Sequence, residues 1–250
     1  PDHYIFESEA MGETATSGRG IPKSKIDVIH LGVDTEKFQP HTNSTYAHDT
    51  FNIPKDKKII FYSGHMEPRK GVAVIMQAAN IMLDSRRRQD LHFLLLGNQP
   101  GEEQPYIDLL TPLAKKNVTF GGYRNDIHKI LPSCYAGCIA STGWDSFTMS
   151  SIEMASCGLP LLVSDMQGLV ETVVHGETGF HFTTADPTDL AEKLSPLLND
   201  QSLRNEMSDV ARNRTVKHFS KGIQTSKLSQ LLTKALHSSA NNKHRAKTRR

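Results

Sequence analysis

The 250-residue chain has no window approaching the roughly 18 apolar residues that a membrane-spanning helix needs. Its start, Pro1-Asp2-His3-Tyr4, has no basic n-region and no apolar h-region, so a signal peptide is not expected. The chain also lacks an initial Met and reads as a piece of something longer. Cysteine is scarce: three residues, an odd number, argue against a secreted disulfide framework and favour the cytosol. Cys134 and Cys138 are four apart, but Cys138 falls in a strand-like run with no His or Cys cluster nearby. Buried apolar packing, not zinc, is expected for both, and Cys157 is expected to close a helix before Gly158. No Asp-x-Asp signature or metal-ligand spacing of His is present, so neither a metal nor a cofactor is expected. The net charge of +2 implies no polyanionic partner, and the basic residues are not interleaved with aromatic stacking platforms, which argues against nucleic acid.

What the chain does have is alternation. Short apolar runs at residues 59–62, 91–96, 118–120, 136–140 and 161–163 are separated by stretches of helical spacing at 72–83, 104–115, 125–131 and 148–156. Strands apolar on both faces, alternating with helices, predict an α/β fold with a doubly wound parallel sheet covered on both sides. Gly64, Gly97, Gly121 and Gly122 follow strands, where such a sheet carries its ligand loops. Beyond residue 163 the sequence predicts a turn at His175-Gly176-Glu177-Thr178-Gly179, a strand at 180–182, and a helix start at Asp186-Pro187. Helical spacing continues at 190–198, 203–218 and 223–236. Residues 42–50 read as a polar loop. At the end, Lys243, Arg245, Lys247, Arg249 and Arg250 stand with no acid among them. They read as a disordered solvated tail or, in a second reading, as a weak contact to anionic lipid worth about 1 kcal/mol per basic residue.

The most informative segment runs from Gly143-Trp144-Asp145-Ser146-Phe147-Thr148 to Glu153-Met154-Ala155-Ser156-Cys157-Gly158-Leu159-Pro160. Asp145 and Glu153 are eight apart at what reads as a helix start. Eight helical residues rise by roughly 12 Å and leave the two acids about 80° apart around the axis, so both can flank one extended ligand. Between them, the N–H groups of Ser146, Phe147 and Thr148 at the positive end of the helix dipole suit a diphosphate. The bland alternative is a capped helix with Asp145 as N-cap and Glu153 as a surface acid.

This segment resembles the E-x(7)-E motif of family-four retaining glycosyltransferases, which have the GT-B fold. Asp145 takes the place of the first Glu, and residues 153–160 match the second half closely. The resemblance implies that Asp145 binds donor-sugar hydroxyls and Glu153 the ribose hydroxyls. A second stretch, Gly64-His65-Met66-Glu67-Pro68-Arg69-Lys70-Gly71, resembles the Gly-Arg-Leu…Glu-Lys-Gly loop whose cations hold the donor diphosphate. Lys70 matches; His65 stands where arginine is usual, and Arg69 precedes Lys70 as another possible carrier of that charge. Gly97 and the Gly121-Gly122-Tyr123-Arg124 loop resemble the family's nucleotide-contacting loops, with Tyr123 or Arg124 against the base. Trp144 is expected to pack beside the cleft. His30-Leu31-Gly32-Val33-Asp34, followed by Phe38 and Pro40, resembles the family's interdomain crossing.

The resemblance therefore implies the C-terminal half of a GT-B enzyme. Residues 1–40 would end the N-terminal domain and form the linker; 41–218 would bind the nucleotide-sugar donor; 219–236 would pack back on the N-terminal domain; 237–250 would be the tail. It implies sugar transfer from a nucleotide-diphosphate donor to a saccharide or lipid-linked acceptor, plausibly in cell-surface glycan synthesis at the cytoplasmic side of the membrane. A GT-B epimerase or hydrolase, or a non-catalytic nucleotide-sugar-binding module, remains open.

Overall fold

The structure is a computed structural model that describes residues 3–247, with side chains through residue 236. Among the described residues eight strands form two sheets. The first sheet is a parallel pair, β1 (Tyr4–Phe6) and β2 (Ile26–Val28), joined by helix α1 (Glu9–Arg19). The second contains β3 (Lys58–Ser63), β4 (Leu91–Leu96), β5 (Val118–Phe120), β6 (Ala136–Ile139), β7 (Leu161–Ser164) and β8 (Gly179–Phe182). All its pairings are parallel, in the order β5-β4-β3-β6-β7-β8. This is the doubly wound arrangement that the alternation predicts, and its order reverses between β3 and β6.

The central strands β3 and β4 are largely apolar because each face meets a different layer. In β3, Ile60 and Tyr62 enter one core while Ile59 and Phe61 enter the other; in β4, Phe93 and Leu95 oppose Leu94 and Leu96. The first core is closed by α3 (Val72–Asn80), α4 (Gln104–Ile107), α5 (Pro112–Lys115) and α8 (Pro187–Asn199). The second is closed by α2 (Tyr46–Phe51), α6 (Ile127–Ile130) and α7 (Met149–Ser156), and α9 (Gln201–His218) reaches both. Side chains such as Phe61 and Leu94, with no exposure, each contribute about 1.5–3 kcal/mol by burial.

Several elements differ from the sequence expectation. The stretch 104–115 is two short helices, because Pro112 bars the helical region to Thr111, which turns extended and caps α5 through its side chain. The polar loop at 42–50 contains α2, docked by buried Ala47 and His48. The helix after residue 72 is regular only to Asn80 and ends in a π turn over Ile81–Ser85. The final helix, α10 (Lys221–Lys247), carries its backbone through Lys247, where disorder is expected from residue 237. The side chains of Lys243, Arg245, Lys247, Arg249 and Arg250 lie outside the described residues.

The segment at Gly32 and Val33 returns beside the start of α10. Val33 N–H donates to Phe219 O and Lys221 N–H to Val33 O, both at 2.8 Å, and Gly32 N–H donates to the Gln224 side chain at 3.1 Å.

Candidate active site at the sheet switch point

Where the strand order reverses, the loops after β3 and β6 part and leave a crevice at the carboxyl ends of the strands. A cavity of about 260 Å³ lies there, lined by Gly64, His65 and Lys70 after β3, Gly97 after β4, and Tyr123 and Arg124 after β5. Asp145, Thr148 and Ser150 close the opposite wall.

The β3–α3 loop is fixed from beneath. Tyr62 O–H donates to His65 O at 2.9 Å, and Tyr106 O–H donates to Met66 O at 2.6 Å. Burial pushes the Tyr62 phenol well above its usual range, so it remains a donor. Pro68–Lys70 forms a 3₁₀ turn ended by Gly71 at φ +70°, where a Cβ would sit 1.6 Å from Ala140 O. Only glycine fits this close, left-handed crossing. The turn aims Lys70 across the crevice. Its Nζ lies 2.9 Å from Asp145 Oδ2, with the two side chains 18% and 9% exposed.

Asp145 is held on every side. Ser141 O–H donates to Oδ2 at 2.5 Å, Ser146 N–H to Oδ1 at 3.1 Å, and Asp145 N–H donates to Gln167 Oε1 at 3.1 Å. This corrects the sequence-based geometry. Asp145 is not on a helix: α7 begins at Met149, and Thr148 is its N-cap, extended in backbone and accepting from Ser151 N–H. The first-turn N–H groups therefore belong to residues after Thr148, and Ser146 N–H is taken by Asp145. Phe147 is buried at 3% exposure, its ring 4.8 Å from His30 and 4.9 Å from Phe219, so its side chain is core. That anchoring keeps 145–147 in a loop.

Glu153 lies one turn beyond Ser150 on α7. Burial pushes its carboxyl up to about 7, with Lys37 opposing the shift. A plain surface acid would not show this. Glu153 is a carboxyl that desolvation leaves poised between charge states at neutral pH.

The remaining expected residues fall into two groups. His65, Gly64, Gly97, Tyr123 and Arg124 line the cavity with Lys70 and Asp145. Tyr123 is 77% exposed at its rim. Arg124 is committed to Asp126, donating to both carboxylate oxygens, and lies 5.6 Å over the Phe51 ring. That bond holds the Asp126 carboxyl down at about 2. Arg69 turns away from the cavity: its guanidinium donates to Glu67 at 2.7 Å and to Trp144 O at 2.8 Å, so its charge is spent on the loop. Trp144 is 53% exposed instead of packed, and lines a separate cavity of about 360 Å³ with Tyr4 and Phe6 of β1 and Arg19 of α1. Sequence reasoning missed Ser141 and Gln167. Ser141 follows β6 closely, the position where a doubly wound sheet presents ligand-side groups, so strand placement could have found it. Nothing in the sequence marks Gln167.

A half-buried cation and a buried carboxylate facing one crevice, with a helix N-terminus alongside, can receive a ligand that is anionic in one part and hydroxylated in another. Among the described residues no group of three or more His, Cys, Asp or Glu is placed to hold a metal ion, and no helix is long and apolar enough to cross a membrane.

Comparison with known proteins decides the family. The profile described as "Glycosyl transferases group 1" matches residues 44–214, which include Lys70, Asp145 and Glu153. The chain belongs to this glycosyltransferase family. It is 30% identical over 205 residues to the N,N'-diacetylbacillosaminyl-diphospho-undecaprenol alpha-1,3-N-acetylgalactosaminyltransferase of Campylobacter jejuni, covering 80% of this chain and 52% of that protein. It is 26% identical over 224 residues to the capsular polysaccharide biosynthesis glycosyltransferase CapM of Staphylococcus aureus, covering 88% of this chain and 58% of that one. The chain thus spans about half the length of the relatives it matches. A Rickettsia africae glycosyltransferase structure superposes with a TM-score of 0.87 at 21% identity, covering 94% of this chain and 64% of that one. Anabaena HepE, solved with UDP and glucose, gives 0.82 at 20% identity, covering 93% and 63%. These likenesses establish the fold: a Rossmann-like C-terminal domain of a GT-B glycosyltransferase.

Proposed function

We propose that this chain carries the donor site of a retaining glycosyltransferase that moves a sugar from a nucleotide-diphosphate donor to a saccharide or lipid-linked acceptor. The observation that carries the reading is the pairing of half-buried Lys70 with buried Asp145 on the wall of the switch-point cavity. An ammonium has three donors, and Asp145 engages one, so Lys70 can hold a phosphoryl oxygen while remaining aimed by the carboxylate. In this reading Lys70, His65 and the first turn of α7 meet the diphosphate, Asp145 the sugar hydroxyls, and Glu153 the ribose diol. Gly64 and Gly97 admit the backbone close to the nucleotide, and Tyr123 with Arg124 borders the base. As the bond from the anomeric carbon to the phosphate oxygen breaks, the acceptor oxygen bonds to that carbon on the same face. The acceptor proton leaves with the diphosphate, and the fixed cation stabilises the charge gathering there. No metal is required in this scheme.

Residues 1–40 and 219–236 are assigned to the linker and the passage to an acceptor-binding half. A lipid-linked acceptor and cell-surface glycan synthesis are supported by the names of the Campylobacter and Staphylococcus relatives, and a cytoplasmic site beside the membrane would suit them. A thermal-shift panel of nucleoside diphosphates and their sugars tests the donor site. A true ligand at a hundred times its dissociation constant stabilises by about 2.7 kcal/mol. The purified chain should bind such a donor yet show no acceptor-dependent release of nucleoside diphosphate. Stabilisation by no member of the panel would refute the donor site, and robust acceptor-dependent turnover would refute the assignment of acceptor binding elsewhere.

A further inference from the structure

The 3₁₀ stretch Gln167–Thr172 after β7 opens on a backbone anomaly. Gln167 has φ +40°, a left-handed conformation that glycine adopts freely and a side chain resists. Such strain persists where the surroundings over-determine it, and it gathers at functional sites. Here the surroundings are explicit. Met166 N–H donates to Ser164 O at 2.7 Å, and Leu169, fully buried, anchors the far side. Gly168 is so close to the Asp145 loop that an added Cβ would lie 3.0 Å from Phe147 N and 2.8 Å from Ser8 Oγ. Glu171 then takes the N–H groups of Glu9 and Ala10 at 3.0 Å each, and His30 lies 3.0 Å from its carboxylate. Held at both ends, the segment delivers the Gln167 carboxamide oxygen to Asp145 N–H at 3.1 Å.

That contact does something Lys70 and Ser141 do not. They grip the Asp145 carboxylate, whereas Gln167 grips its main chain and so sets the direction in which the side chain leaves the loop. A glycine at 167 would relax the backbone but leave this N–H to water. We propose that Gln167 is a positioning residue, its carboxamide fixing the Asp145 peptide so that the carboxylate meets the donor sugar. This rests on the reading of Asp145 as the group that faces that sugar.

The test separates positioning from support. In Q167G the thermal midpoint should hold or rise, because glycine suits φ +40°. Amide hydrogen exchange at Asp145 should meanwhile quicken by roughly three- to tenfold, the loss of one ordinary hydrogen bond. In Q167E, which keeps an acceptor of the same reach, exchange should stay slow. By calorimetry with UDP and UDP-glucose, Q167G should leave UDP affinity unchanged and reduce the advantage of UDP-glucose over UDP several-fold. Unchanged exchange at Asp145 would overturn the proposal, as would faster exchange with an unchanged affinity ratio, or a lowered midpoint with parallel losses for both ligands. If the wild type bound neither these ligands nor any other nucleoside diphosphate or sugar of the panel, the donor-site reading and the sugar-facing part of the proposal would fall. The exchange rates would still decide whether Gln167 holds Asp145.

Discussion

In Glu153→Gln the carboxyl on α7 becomes an amide of nearly the same shape that cannot ionise, and stability and affinity should then move in opposite directions. The ordinary value for this group is 4.5, and in the fold burial holds its proton to about pH 7. Between those two values the folded chain binds more protons than the unfolded one. Wild-type stability should therefore fall as pH rises through the window and level off above it. At 1.36 kcal/mol per unit, the shift sets an upper limit of about 3 kcal/mol, and partial solvent access brings the expectation nearer 2 kcal/mol. The variant should match the wild type near pH 4.5 and exceed it by that margin at pH 8, as read by urea unfolding at a series of pH values. Ligand binding should show the reverse. Losing a charge-assisted bond to the ribose costs roughly 1.5–3 kcal/mol, a drop of about 10- to 150-fold in nucleoside-diphosphate affinity at pH 8. Wild-type binding near pH 6 should release protons, because a diol donating to the carboxylate favours its charged form. A variant less stable than wild type at pH 8, or one with unaltered nucleoside-diphosphate affinity, would refute this account of Glu153.

Lys70→Ala removes the cation from a pair whose carboxylate is 9% exposed, so it should destabilise the fold by about 3 kcal/mol, measured by denaturant unfolding. It should also weaken nucleoside-diphosphate binding far more than nucleoside binding, and calorimetry across a salt series should show a shallower salt dependence than in wild type. Equal losses for nucleoside and nucleoside diphosphate would argue against a phosphate contact. Gly71→Ala places a methyl on the Ala140 carbonyl at a positive φ, and should abolish soluble folded protein or lower the thermal midpoint steeply; a wild-type midpoint would show that the crossing is not rigid.

The large sheet was legible because every strand from 59 to 163 is an apolar run ending at a loop, a signal that survives any tertiary context. Helix α1 was not legible: its buried residues are the small Gly12 and Ala15, so Glu9–Arg19 carries no apolar stripe. The motif segment put Asp145 and Thr148 on the cavity wall, but in a local geometry other than the one its spacing suggests. Spacing of eight between Asp145 and Glu153 suits a helix, but Phe147 is drawn into the core by His30 and Phe219, and the helix starts only when Thr148 caps it. The resemblance named Lys70 and Asp145 separately, while their contact across 75 residues is a product of the strand order. It also offered Arg69 as a phosphate ligand, and the neighbouring Glu67 took its guanidinium instead. Local chemistry of that kind leaves no trace in spacing.

The joining of Val33 to Phe219 and Lys221 means that the chain leaves the six-stranded sheet twice at one place, in two passes stapled side by side. A lone tether can bend and also spin about its own axis, so whatever it carries can present any face. A paired tether resists torsion and leaves bending as the easy motion. Anything carried on the two passes would swing toward the cavity or away from it while presenting the same face on every stroke. Lengthening the loop between Val33 and Tyr46 would leave that constraint intact, whereas cutting the Val33–Lys221 staple would release it.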